Sequence, residues 1–199
     1  MIMQNSSLQK KKKCIAIFAS GAGSNAQKII DHFKKDDKNA EVVLIVCNNP
    51  KAGVLKIAEQ ENIDVLIIER KRFHEDGYIT DLKNYNIDLI VLAGFLWKIP
   101  EILIHAYQNK IINIHPALLP KFGGKDMYGN FVHEAVIKSG EKESGITIHY
   151  VDEIYDHGKI IFQATCNVDK NDTPQTLAEK IHVLEHRHYA AVIDSIISS

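Results

Sequence analysis

Five apolar runs divide the first two-thirds of this chain: KCIAIFAS (13–20), EVVLIVCN (41–48), DVLIIE (64–69), DLIVLAG (88–94) and IINIH (111–115). None alternates strictly with polar residues. A strand with one face in water shows that alternation, so unbroken runs imply strands covered on both faces. Between them lie helical stretches. SNAQKIIDHFKK (24–35) puts Ile29, Ile30 and Phe33 on one face, and KAGVLKIAEQEN (51–62), GYITDLKNYN (77–86) and PEILIHAY (100–107) follow. Strands alternating with helices build a parallel sheet. The expected fold class is α/β: a doubly wound, mostly parallel, Rossmann-like sheet.

The pattern changes after residue 115. A Pro/Gly-bearing loop covers 116–129, and a helix, FVHEAVIKSG, covers 131–140. GITIHYV (145–151) and KIIFQATCNV (159–168), joined by DEIYDHG, read as an antiparallel strand pair. TPQT at 173–176 supplies a cap and an early proline for a long C-terminal helix. The expected organisation is a flexible tail over 1–12 and one domain over 13–199.

A formal net charge of −1 lacks the basic footprint of a general nucleic-acid or membrane binder. Lys10 to Lys13 reads as a solvated tail. No secretory signal is expected, because the apolar run after those lysines is short and strand-like. Cys14, Cys47 and Cys166 fit no metal spacing and read as buried thiols of a reducing cytoplasm.

In open α/β sheets, ligands bind beyond the carboxyl ends of the strands, near the point where strand order reverses. The unusual residues fall at such ends. In SGAGSNA (20–26), the glycines allow a sharp turn, and Ser24 or Asn25 can cap the next helix. Free N–H groups there favour an anion such as phosphate. Gly21, Gly23 and Ala26 also fit a dinucleotide fingerprint, but Asn48 and Asn49 stand where its ribose-binding acid belongs. A tight turn with no ligand is the plain alternative. In NIHPALLP (113–120), Asn113 and His115 share one side of a strand that Pro116 ends. An amide and an imidazole there can donate to an oxyanion or relay a proton. In DEIYDHG (152–158), a carboxylate placed beside His115 would raise its pKa. Asp156 is the candidate by position, with Asp152 and Glu153 as rivals.

HVLEH (182–186) has the H-x-x-E-H form of a zinc-hydrolase motif. Such a site needs a third protein ligand. Asp194 is the only acid beyond His186, so no metal is expected.

VLAGF (91–95), NIHPALLPKF, GITIHYV and EIYDHGKIIFQ occur in this order. Together they resemble the phosphoribosylglycinamide formyltransferases, the folate-dependent formyltransferase family of purine synthesis. The resemblance runs from about Lys13 to the end. It implies a nucleotide-binding half at 13–115 and a folate and catalytic half at 116–199. It implies that Asn113, His115 and Asp156 are the catalytic trio. Gly23, Ser24 and Asn25 match the phosphate loop, and Glu185 an acid on the ribose hydroxyls. Leu96, Trp97, Lys98 and Ile99, with Asn113, Asp152 and Asp156, match the folate pocket. Thr147 matches a Thr/Ser position near the catalytic aspartate. His182 and His188 are then surface or packing residues.

The implied co-substrate is 10-formyltetrahydrofolate, the acceptor is glycinamide ribonucleotide, and the expected state is a monomer or weak homodimer. Ala117, Trp97, Lys98 and His157 depart from the family's usual residues. The glycine-rich FGGKDMYGN (122–130) is either a flap over the substrates or an ordered packing loop. Enzymes with the same core that act on initiator methionyl-tRNA or amino sugars, and a formyltetrahydrofolate hydrolase, resemble larger chains. A non-catalytic nucleotide-binding module and a dinucleotide oxidoreductase are the readings from other classes.

Overall fold

The computed structural model describes residues 11–199. Apart from Lys11 and Lys12, which are exposed, the tail expected over 1–12 lies outside these residues. The strands are β1 (Lys13–Ala19), β2 (Ala40–Cys47), β3 (Asp64–Ile67), β4 (Ile87–Leu92), β5 (Ile111–His115), β6 (Glu143–Tyr150) and β7 (Ile160–Asn167). The helices are α1 (Ser24–Phe33), α2 (Val54–Glu61), α3 (Arg70–Glu75), α4 (Ile79–Asn84), α5 (Glu101–Ala106), α6 (Asn130–Ser139) and α7 (Pro174–Ser198). The sheet order is β3-β2-β1-β4-β5-β6-β7. The first five strands run parallel, and β6 lies antiparallel between β5 and β7. This is the expected α/β architecture, closed by the antiparallel pair and the long helix.

β1 shows why the apolar runs carry no alternation. Ile15, Ile17 and Ala19 enter one core, shared with residues of α1, α2, α6 and α7. Cys14, Ala16 and Phe18 enter a second core on the other face, under α3, α4 and α5. Both faces of the strand are dry. Each large aliphatic side chain so buried contributes about 1.5–3 kcal/mol. β3 departs from the expectation. It is a four-residue edge strand whose Val65 and Ile67 remain 41% exposed. A short edge strand offers little backbone for a stray chain to pair with. Cys166 is likewise only partly covered, on the other edge.

α3 was not expected. Its sequence, RKRFHE, has one buried side chain, Phe73, so no apolar stripe marks it. The start of α7 follows its sequence signal. Thr173 and Thr176 form a reciprocal capping box, and Pro174 opens the helix. Lys180 reaches back to Asp169 and Asp172, both at 2.6 Å. Farther along, the buried Tyr189 hydroxyl donates to the Leu92 carbonyl at 2.9 Å, fixing α7 to β4.

The chain leaves β1 toward β2 and β3, then crosses to β4 on β1's other side. The crevice therefore opens beyond β1 and β4. Their loops are tied together: Ser20 N–H donates to the Gly94 carbonyl at 3.1 Å, and Leu96 N–H donates to Ser20 Oγ at 2.9 Å.

Candidate active site

A cavity of about 560 Å³ fills this crevice. Among its walls are Gly21–Asn25, Leu92–Ile99, Asn113–Pro116, Gly124–Asn130, Asp152, Ile154–Asp156 and Glu185. Every residue assigned above to the catalytic trio, phosphate loop, ribose and folate lines this one space. Thr147 does not. Its buried hydroxyl donates to the Ala117 carbonyl at 2.7 Å and accepts from Leu119 N–H at 3.0 Å and Gln163 Nε2 at 2.9 Å. It supports the backbone after His115 and makes no bond to the aspartate.

The phosphate loop is built differently from the sequence expectation. Neither Ser24 nor Asn25 caps α1. The cap is Gly23, in the left-handed region at φ 84° and with no side-chain bond. A Cβ there would also press on Val54 and Ile57 at 2.9 Å. With no side chain spent on capping, the first N–H groups of α1 stay open to the cavity. Asn25 instead donates from Nδ2 to Glu185 Oε2 at 2.9 Å, and its buried Oδ1 has no partner.

β5 ends in Asn113 and His115. His115 Nε2 donates to the Phe122 carbonyl at 2.8 Å. That bond places a proton on Nε2 and leaves Nδ1 facing Asp156 Oδ2 at 3.4 Å, too far for a firm hydrogen bond. Asp156 Oδ2 also accepts from Gly124 N–H at 2.9 Å, so the 122–124 segment touches both members of the pair.

Burial pulls the His115 pKa below its ordinary value, and the opposing pull of Asp156 and the Phe122 carbonyl does not restore it. This corrects the expectation of a histidine raised at rest: desolvation outweighs the nearby carboxylate. Burial alone would raise Asp156. The His149 ring 3.7 Å away, the His115 charge and the Gly124 N–H outweigh that, and hold its carboxyl below the usual range.

Three histidines enter the site without having been assigned to it. His149 pairs with Asn113 across β5 and β6. Its Nδ1–H donates to the Tyr150 carbonyl at 2.8 Å, leaving Nε2 to accept from Asn113 Nδ2 at 3.2 Å. His182, expected to be a surface or packing residue, is exposed and also lines the cavity, with Nδ1 2.9 Å from Glu185 Oε2, and that bond raises its pKa. His133 lines the cavity from α6. His188 does pack, against Phe162 at 4.9 Å between ring centroids.

His182 and His186 stack at 6.1 Å. Among the described residues, no group of three His, Cys, Asp or Glu side chains could hold a metal. The apolar part of the cavity is firmer. Trp97 packs on Phe73 and Phe95, both at ring-centroid distances within 6.4 Å, and Arg70 lies over its face. Lys98 lies over Tyr155. An aromatic wall beside backbone polar groups suits a flat heterocycle. His157 does not disturb its turn. The positive φ falls on Asp156, at 53°, and His157 Nδ1 bonds Asp152 Oδ2 at 2.9 Å. Among the described residues, no helix is long and apolar enough to cross a membrane.

Residues 13–193 match the family model described as formyl transferase. The chain is 42% identical to a chloroplastic phosphoribosylglycinamide formyltransferase of Arabidopsis thaliana, over 98% of this chain and 68% of that protein. It is 40% identical to the phosphoribosylglycinamide formyltransferase of Bacillus subtilis, over 93% and 95%. The crystal structure of the Bacillus halodurans phosphoribosylglycinamide formyltransferase superposes with a TM-score of 0.85 at 38% identity, covering 94% of this chain and 96% of that one. These likenesses in sequence and fold have one reading: the chain belongs to the formyl transferase family, among its phosphoribosylglycinamide formyltransferases.

Proposed function

We propose that this enzyme moves a formyl group from 10-formyltetrahydrofolate to the primary amine of glycinamide ribonucleotide, a step of purine synthesis. The observation that carries the reading is the convergence of Asn113, His115 and Asp156 on one cavity, between an uncapped helix start and an aromatic wall. The open N–H groups at Gly23, Ser24 and Asn25 hold the phosphate. Glu185 holds the ribose hydroxyls. Leu96 to Ile99, with Asn113 and the 152–156 turn, hold the pteridine.

The acceptor amine attacks the formyl carbon, and a tetrahedral oxyanion forms. Asn113 and His115 donate hydrogen bonds to it. His115 Nε2 is occupied by the Phe122 carbonyl, so Nδ1 is the working nitrogen. The resting ring is held below its ordinary pKa by burial. Negative charge developing beside it raises its proton affinity in the step that needs the proton. That interaction is strongest in the transition state, which is where it accelerates the reaction. The attacking amine gives up its proton, through water held by Asp156, to His115 Nδ1, which donates it toward the oxyanion and then passes it to N10. The new C–N bond forms, the C–N10 bond breaks, and the donor leaves as tetrahydrofolate.

The test is incubation with 10-formyl-5,8-dideazafolate and glycinamide ribonucleotide, followed by absorbance. Deformylation that requires the acceptor is expected. Deformylation of equal rate without it would overturn the assignment.

A further inference from the structure

His133 has no part in the chemistry above, yet it is built into the site. It lies in the first turn of α6, 4% exposed, and lines the cavity. Its Nδ1 is buried and has no hydrogen-bond partner. A buried polar atom without a partner is costly, and such an atom in a cavity wall calls for a partner from outside the chain.

Its place between other groups narrows that partner. His133 shares the cavity wall with His182 and Glu185 of α7 and with His115 of β5. In the reading above, which this inference rests on, Glu185 marks the ribose of the acceptor and His115 the formyl group that its amine attacks. The carboxamide link joins ribose to amine and offers one C=O and one N–H. Burial favours the neutral form of the His133 ring. A neutral imidazole carries one N–H donor and one bare nitrogen, the complement of an amide.

We propose that His133 is a specificity-determining residue that hydrogen-bonds the carboxamide link of the acceptor, so that the site tells glycinamide ribonucleotide from a bare ribose phosphate. A site built to bond a polar group discriminates against a ligand lacking it, because its own buried atom then stays unpaired.

Binding of glycinamide ribonucleotide and of ribose 5-phosphate would be measured by calorimetry on the wild type, His133→Ala and His133→Gln. His133→Ala is expected to lose about tenfold in affinity for the ribonucleotide, the size of one hydrogen bond, and nothing for ribose 5-phosphate. KM for the formyl donor should stay unchanged, and His133→Gln, which keeps a donor and an acceptor, should recover most of the loss. Equal losses for both ligands, or none for either, would overturn the proposal. If the alanine variant does not fold, His133→Leu, which fills the same space, carries the same two-ligand comparison. Failure of the underlying reading looks different: the wild type itself would neither bind the ribonucleotide nor formylate it.

Discussion

Asp156 Oδ2 lies 3.4 Å from His115 Nδ1, and the same oxygen accepts the Gly124 N–H at 2.9 Å. Asp156 is therefore held by the loop that also occupies His115 Nε2. Removing its charge while keeping its shape isolates its pull on the ring. In Asp156→Asn the His115 pKa, already lowered by burial, should fall further, since the carboxylate raises it. NMR titration of the His115 ring reads this directly, and an unmoved midpoint would sink the coupling. Turnover at neutral pH should drop on the order of 10²–10³, the cost of a weakened oxyanion donor.

Stability should fall on acidification from about pH 7.5 to 5.5. His115, His133, His186 and His188 all have folded pKa values lowered mainly by burial. Their unfolded rings sit near the ordinary value of about 6.5. As pH drops through that value the unfolded chain takes up protons first, so stability present above it is lost toward the folded pKa. His182, raised by Glu185, works in the opposite direction. Urea midpoints at the two pH values measure the net effect, and His115→Gln should flatten the slope. A midpoint that rises on acidification would contradict this account.

Thr147→Val keeps the shape of a fully buried side chain and removes its hydroxyl. The Ala117 carbonyl loses its donor, and the Leu119 N–H loses its acceptor. Buried groups left unpaired cost about 1–3 kcal/mol each. The urea midpoint should fall accordingly, with a smaller loss of turnover as the segment after His115 loosens. A variant as stable as the wild type would show those groups finding other partners.

Gly158→Ala tests the turn that presents Asp156. A Cβ at this position would run into the Tyr150 carbonyl, which is backbone and cannot swing aside. Overpacking of this kind costs about 1–3 kcal/mol. Thermal unfolding should shift down, and turnover should fall through displacement of residue 156, two positions away.

Glu185→Gln should raise KM for the ribonucleotide about tenfold or more, while KM for the formyl donor stays constant, because hydrogen bonds to a charged group exceed neutral ones. Steady-state kinetics with each substrate varied in turn separates the two. A change confined to the donor would place residue 185 in the wrong half of the site.

Much of the fold was legible in the sequence. Ile111–His115 and the start of α7 lie where their residues place them, because an apolar strand and a Thr–Pro cap are local signals. α3 carries no such signal, with Phe73 its one buried side chain. Family likeness named Asn113, His115 and Asp156 as candidates, and they line one cavity, but the proton on His115 was not legible. It depends on burial by segments far away in sequence. His149 sits two residues beyond Thr147 on β6, a polar side chain on a buried strand, and that was an available sign. His133 left one too, a lone imidazole among the buried positions Val132 and Val136 of α6.

Asn25 and Glu185 meet across 160 positions of chain. A polypeptide emerging from the ribosome exposes the glycine turn first, and the carboxylate that bonds it follows 160 residues later. Until then the Asn25 amide has only water for company. A nascent chain therefore lacks the Asn25–Glu185 bond until the helix that carries Glu185 has left the ribosome.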